Sequence, residues 1–378
     1  MEPYRIFFPL GIITAILGTL GWISFGFGAA VAYPGLYHPD LMMGGFLFAF
    51  SAGFLMTAVP QFTGADRCQK WECALGAAIF LLLMAVSFSE NRAPFHLASL
   101  ISFFALISYC LKRFLKRKNT PPRFFVFVGL GLLMGTAGVL ILLLSEIGLI
   151  PESWFKFGKL LYTQGMILAL VLGVGTHLLP AIWGWSDLPI QPVGKSEESL
   201  KKNLLPVLGL AAALIFSFCV ESTGYFALGQ GIRAVLVSYL AVMKWNMLRK
   251  PKTRGRLSFW LWVSAWSLCL GLWLPLFFPL YAIHMMHFAF IGGFGLMTLM
   301  VASRVTLAHG GYGYRVEVRS RLLTTSAVLI LISAATRLSA PGIPRIYLHH
   351  LAYAAIVWIS AMLIWSVVLI PKMIRLKD

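Results

Sequence analysis

The residues in this chain best suited to chemistry are its histidines, because imidazole binds haem iron and copper and titrates near neutral pH. There are eight, and six of them open apolar runs: His38, His96, the pair His284 and His287, and the pair His349 and His350. His284 and His287 are three residues apart, which places both on one face of a helix. His349 and His350 are adjacent, about 100° apart on a helix, so only one of them can share a given site. Two imidazoles from different helices that meet inside a bundle can hold haem iron or copper. The alternative for any single histidine is an interfacial imidazole that hydrogen-bonds and binds no metal. The other two, His177 and His309, fall near the opposite ends of their runs.

Arg233 is the ionisable residue set deepest in an apolar run. A guanidinium there either pairs with a carboxylate, Glu221 or Glu146, or holds an anionic group such as a haem propionate. Arg304, in Ser303-Arg304-Val305-Thr306, lies close enough to a run's end to reach the interface. No Walker loop, nucleophile elbow, zinc-protease helix or closely paired intramembrane carboxylates occur. The ionisable residues crowd toward one face instead of the midplane, which is unlike a secondary transporter.

The elements that carry these residues are membrane spans. Of 378 residues, 59% are apolar and only 12% charged, and the mean hydropathy is +0.82. No soluble domain of this length has so little charge. Each span needs about 20 apolar residues, and the uncharged runs bounded by charge or Pro/Gly clusters give twelve: 6–32, 40–61, 71–89, 94–112, 123–146, 155–182, 203–220, 224–243, 257–279, 281–307, 321–338 and 346–370. The fold class is therefore all-α, a single polytopic membrane domain over 1–378. The first run is too long for a signal-peptide core and lacks a basic cluster before it, so Ala30-Val31-Ala32 is expected to be part of a retained span. Five cysteines spread over unrelated segments offer no CxxC and no disulfide pair.

Charge orients the spans. With twelve, the termini and the even-numbered joints share one side, and that side holds 25 of the 31 Lys and Arg: Arg5, Arg67, Lys70, six in 112–123, Lys195, Lys201, Lys202, six in 244–256, Arg304, Arg315, Arg319, Arg321, Lys372, Arg375 and Lys377. The positive-inside rule predicts cytoplasmic termini in a bacterial inner membrane. The net charge of +18 is then a set of membrane-flanking clusters that face anionic headgroups, with no nucleic-acid partner.

The chain also repeats itself. Gly53-Phe-Leu-Met-Thr-Ala-Val-Pro60-Gln-Phe-Thr-Gly64 ends the second span, and Gly173-Val-Gly-Thr-His-Leu-Leu-Pro180-Ala-Ile-Trp-Gly184 ends the sixth. Gly292-Gly293-Phe294 in the tenth echoes Gly44-Gly45-Phe46. A period of four spans predicts three four-helix units around a pseudo-threefold axis.

Two of these segments resemble a known family. Tyr37-His38-Pro39-Asp40-Leu41-Met42-Met43-Gly44-Gly45-Phe46, continued by the Gly53–Gly64 motif, is similar to the second-span motif of NnrS proteins. His287-Phe-Ala-Phe-Ile-Gly292, running through Met297-Thr298 and Ser303-Arg304-Val305-Thr306-Leu307-Ala308-His309-Gly310, is similar to their tenth-span motif. The resemblance implies a haem- and copper-containing membrane protein of nitric oxide metabolism and nitrosative-stress response. His38, His287, Arg304 and His309 match family positions. A second histidine and a glutamate of the pattern are replaced by Asp40 and Leu41, and His284 is additional.

A looser similarity, in span number and in histidines on spans two and ten, is to the catalytic subunits of haem-copper oxidases and nitric oxide reductases. The expected cofactor is haem held by His38 and by His287 or His284. Arg233 is a candidate cofactor contact, and His349, His350 and His96 are further metal-ligand candidates. The expected small-molecule partner is nitric oxide, with an electron donor left open. The alternatives are a nitric oxide reductase-like oxidoreductase and a haem-free transporter or copper-handling protein.

Overall fold

The computed structural model describes residues 2–186, 191–192, 197–312, 318 and 320–375. Lys195, Arg315, Arg319 and Lys377 of the charge asymmetry lie outside the described residues, as do the side chains of Lys201 and Lys202. The described chain is all-α. Counting 3-10 and π-helical stretches within longer runs, twelve helices follow one another. They are α1 (Tyr4–Gly26), α2 (His38–Thr63), α3 (Lys70–Ala85), α4 (Ala93–Leu115), α5 (Arg123–Glu146), α6 (Glu152–Ile182), α7 (Glu197–Ser222), α8 (Phe226–Met243), α9 (Arg256–Phe277), α10 (Pro279–His309), α11 (Arg321–Gly342) and α12 (Pro344–Ile374). Eleven are long and apolar enough to cross a membrane. The other, α3, has 16 residues, a rise of about 24 Å, and is the shortest. A two-residue antiparallel pairing joins Asn119–Thr120 to Gln191–Pro192.

The helix ends follow local chemistry. The first apolar run is helical only to Gly26, because Gly28 takes a left-handed φ of 72° and turns the chain away. α3 starts at a capping box in which Gln69 N donates to Glu72 Oε2 at 2.9 Å. α12 extends to Ile374, four residues beyond the end of its apolar run.

The repeat seen in sequence has a backbone counterpart. α2, α6 and α10 each begin with a short 3-10 or α-helical turn and then pass through a π-helical stretch: Leu41–Leu47, Leu161–Gly165 and Phe288–Gly295. Four residues after the start of each stretch stands a glycine pressed on the preceding helix. A Cβ at Gly45 would meet Thr14 Cβ of α1 at 2.8 Å, at Gly165 Met134 Cε of α5 at 2.6 Å, and at Gly292 Ser267 Cβ of α9 at 3.1 Å. Twenty-three residues after the start, each helix is followed by a glycine in the left-handed region, Gly64, Gly184 and Gly311 at φ of 64°, 76° and 65°. Sixteen residues after the start, the shared position carries Thr57, His177 and Arg304. The third copy, faint in sequence, is clear in the backbone.

The chain divides into two compact units, one built from Ser51–Asn246 with the first three residues and the other from Tyr4–Phe50 and Met247–Asp378. Within the first, Tyr109 Oη donates to Met56 O at 2.7 Å, and Arg113 grips both oxygens of Glu72 at 3.1 and 2.6 Å. Within the second, α1, α11 and α12 are tied by buried polar contacts. Trp358 Nε1 donates to Ala15 O at 3.3 Å, Ser326 Oγ to Ala361 O at 3.0 Å and Ser333 Oγ to Ala354 O at 2.8 Å. Trp365 Nε1 reaches Ser303 Oγ of α10 at 2.9 Å.

Candidate metal centre

His38 is the first residue of α2 and His287 the last residue before the π-helical stretch of α10, so both imidazoles stand where the helix changes its winding. Single π-helical turns recur at functional sites because the extra residue re-aims its neighbours. Here the two rings come close within the second unit, with centroids 6.5 Å apart and planes only 11° from parallel. Each is braced by an aromatic edge, Trp22 against His38 at 5.9 Å and Phe290 against His287 at 5.8 Å.

The hydrogen bonds fix the tautomers. His38 Nδ1 lies 2.7 Å from Gly18 O, and His287 Nδ1 lies 2.6 Å from Ile283 O. A carbonyl oxygen only accepts, so both Nδ1 atoms carry the hydrogen and donate it. In the neutral ring, the lone pair is then on Nε2. Metal-binding histidines are set up in this way, with the second nitrogen anchored to a carbonyl.

His284 is arranged oppositely. Its Nδ1 is in contact with Arg337 Nη1, and a guanidinium only donates, so this Nδ1 accepts. The hydrogen of the neutral ring then sits on Nε2, and neither nitrogen offers a free lone pair. Tyr347 lies against the His284 ring, with centroids 5.6 Å apart. The Arg337 charge lies near enough to act on His38 and His287 as well.

The remaining sequence candidates stand elsewhere. His349 contacts Phe27 at 5.5 Å, and His350 Nδ1 is 3.4 Å from Ser339 Oγ. No described hydrogen bond or ring contact joins either to the His38–His287 pair. His96 belongs to the first unit, where its Nδ1 donates to Glu146 Oε2 at 2.9 Å. Arg233, fully buried in the same unit, is paired with Glu221, donates to Gln230 Oε1 at 2.6 Å and lies 4.4 Å from the Phe218 ring. Glu146 is held by His96, so the structure decides between the two carboxylates weighed for Arg233. His177 contacts Phe62 at 5.5 Å, and His309 contacts Tyr4 at 5.9 Å.

All five cysteines are free thiols. Contact with Cys73, together with burial, pushes the Cys68 thiol up from its ordinary range. Sequence reasoning missed Arg337, one of the six Lys and Arg that are not on the basic side. Its one signal was an arginine close to the end of an apolar run that also faces a histidine-bearing run.

Among the described residues, no three His, Cys, Asp or Glu side chains converge on one point. The donor set is a pair of neighbouring imidazoles, which suits a metal that arrives with its other ligands already in place. The fold and this pair define a polytopic all-α membrane protein with paired imidazole donors at one end of its second unit. The chain belongs to the NnrS protein family, which it matches over residues 1–377. No curated protein matches it.

Proposed function

We propose that the protein is a haem-binding membrane protein of nitric oxide metabolism and the nitrosative-stress response, in which His38 and His287 would hold the haem iron. The observation that carries this reading is that the two rings lie close together with both Nδ1 atoms anchored on carbonyls, which leaves an Nε2 lone pair on each. A porphyrin brings four nitrogens of its own, so the protein need supply only two.

Bound there, haem iron supplies one-electron chemistry and affinity for a diatomic such as nitric oxide. The chain's residues do the rest. His38 is held by α1 through Gly18, and His287 by its own helix through Ile283, so the two ligands are oriented before the cofactor arrives. Copper is the second metal of this reading, since imidazole also suits copper, and His349 or His350 is its candidate ligand. Family membership supports the nitric oxide role. The charge asymmetry supports a bacterial inner-membrane location, cytoplasmic termini and contact with anionic headgroups on that side.

The test is the absorption spectrum of purified protein with a pyridine haemochrome assay and metal analysis of the same sample. A Soret band with about one haem per chain is expected. Stoichiometric copper without a Soret band would favour the copper-handling alternative, and neither metal would overturn the reading.

A further inference from the structure

Two arginines within the described helices are buried, and both have a carboxylate. Arg113 is paired with Glu72, and Arg233 with Glu221. Arg337 in α11 is half-buried and contacts the imidazole of His284. Among the described ion pairs, none joins Arg337 to a carboxylate. Its electrostatic neighbours are the hydroxyls of Tyr33 and Tyr347. A guanidinium stays charged at any accessible pH, and a cation within a span is costly until an anion compensates it.

His284 holds that guanidinium in place, since its ring is hydrogen-bonded to both the side chain and the backbone of Arg337. The charge it fixes lies near enough to act on both His38 and His287, which is chemistry for an oxyanion.

We propose that Arg337 and His284 form an oxyanion-binding subsite next to the imidazole pair, which takes a carboxylate-class anion. Two sources share that chemistry: a carboxylate arm of the bound porphyrin, and a small free oxyanion from the aqueous side. The first rests on the haem reading above, and the second does not. His284 then positions the guanidinium of Arg337, and the additional histidine of this chain is accounted for without making it a metal ligand.

The experiment uses the full-length protein in detergent as wild type, Arg337→Gln, Arg337→Lys and His284→Ala. Haem retention and midpoint potential are measured, together with thermal melting against sodium formate, with sodium chloride at equal ionic strength as the control. If the anion is the cofactor's carboxylate, Arg337→Gln shifts the midpoint to lower potential, because loss of a nearby positive charge favours oxidised iron. Its haem also dissociates several-fold faster, Arg337→Lys falls between, and formate leaves the wild-type melt unmoved.

If the anion is free, formate raises the wild-type melting temperature saturably, and the rise is lost in Arg337→Gln with haem content equal. Should Arg337→Gln fail to accumulate, His284→Ala is compared in the same three readouts. A variant indistinguishable from wild type in potential, haem retention and formate response overturns the proposal. A wild-type protein without haem removes the reading above and leaves the formate titration to decide the subsite, with no saturable rise overturning it.

Discussion

His287 and His284, one helical turn apart on α10, bind their hydrogens on opposite nitrogens: His287 donates through Nδ1 to Ile283 O, whereas His284 accepts at Nδ1 from Arg337. Spacing places them on one face, yet only one presents an Nε2 lone pair. Their neighbours therefore assign them different roles.

Ligand substitution tests that difference. His38→Ala and His287→Ala should each lower haem content or convert a low-spin spectrum to high-spin, because one axial bond is lost. His284→Ala should keep both axial bonds and stay low-spin in electron paramagnetic resonance. His309→Ala should also leave the spectrum unchanged, since His309 lies at the far end of α10 against Tyr4. A high-spin His284→Ala protein would move the axial role from His287 to His284.

The Arg233–Glu221 pair should behave as structure. Arg233→Gln leaves Glu221 buried beside Gln230, and the expected cost is about 3–5 kcal/mol, typical of a buried pair broken on one side. Arg233→Gln combined with Glu221→Gln should recover much of it. Thermal melting of the three variants checks this, and a normally stable single variant would contradict it.

The left-handed glycines that close α2 and α6 should resist side chains. Gly64→Ala and Gly184→Ala should each destabilise by about 1–2 kcal/mol, with Asn milder at both positions, because a Cβ is disfavoured at positive φ. Equal melting temperatures for the Ala variants and wild type would show that the loops relax instead.

Orientation is read with fusions. A reporter placed within 113–121, within 250–255 or after Asp378, which is itself outside the described residues, should report cytoplasm. Alkaline phosphatase activity from any of these positions would reverse the topology.

The sequence by itself determined the twelve helices, because each span must be a long uncharged run and the breaks between runs are written in charge, proline and glycine. It also showed the family and which helices carry the imidazoles, since motif and span number are properties of the chain's order. It could not show the π-helical stretches of α2, α6 and α10, in which Gly45, Gly165 and Gly292 press against the preceding helix. Nor could it separate Arg233 from Arg337.

Both are arginines in apolar runs. Only the tertiary fold gives Arg233 the carboxylate of Glu221 and leaves Arg337 with the imidazole of His284. The same holds for His38, which is preset for a metal by the carbonyl of Gly18, twenty residues earlier on another helix. A hydrogen bond from a side chain to a distant backbone oxygen leaves no trace in residue type or spacing, and it is that bond which decides where the lone pair points.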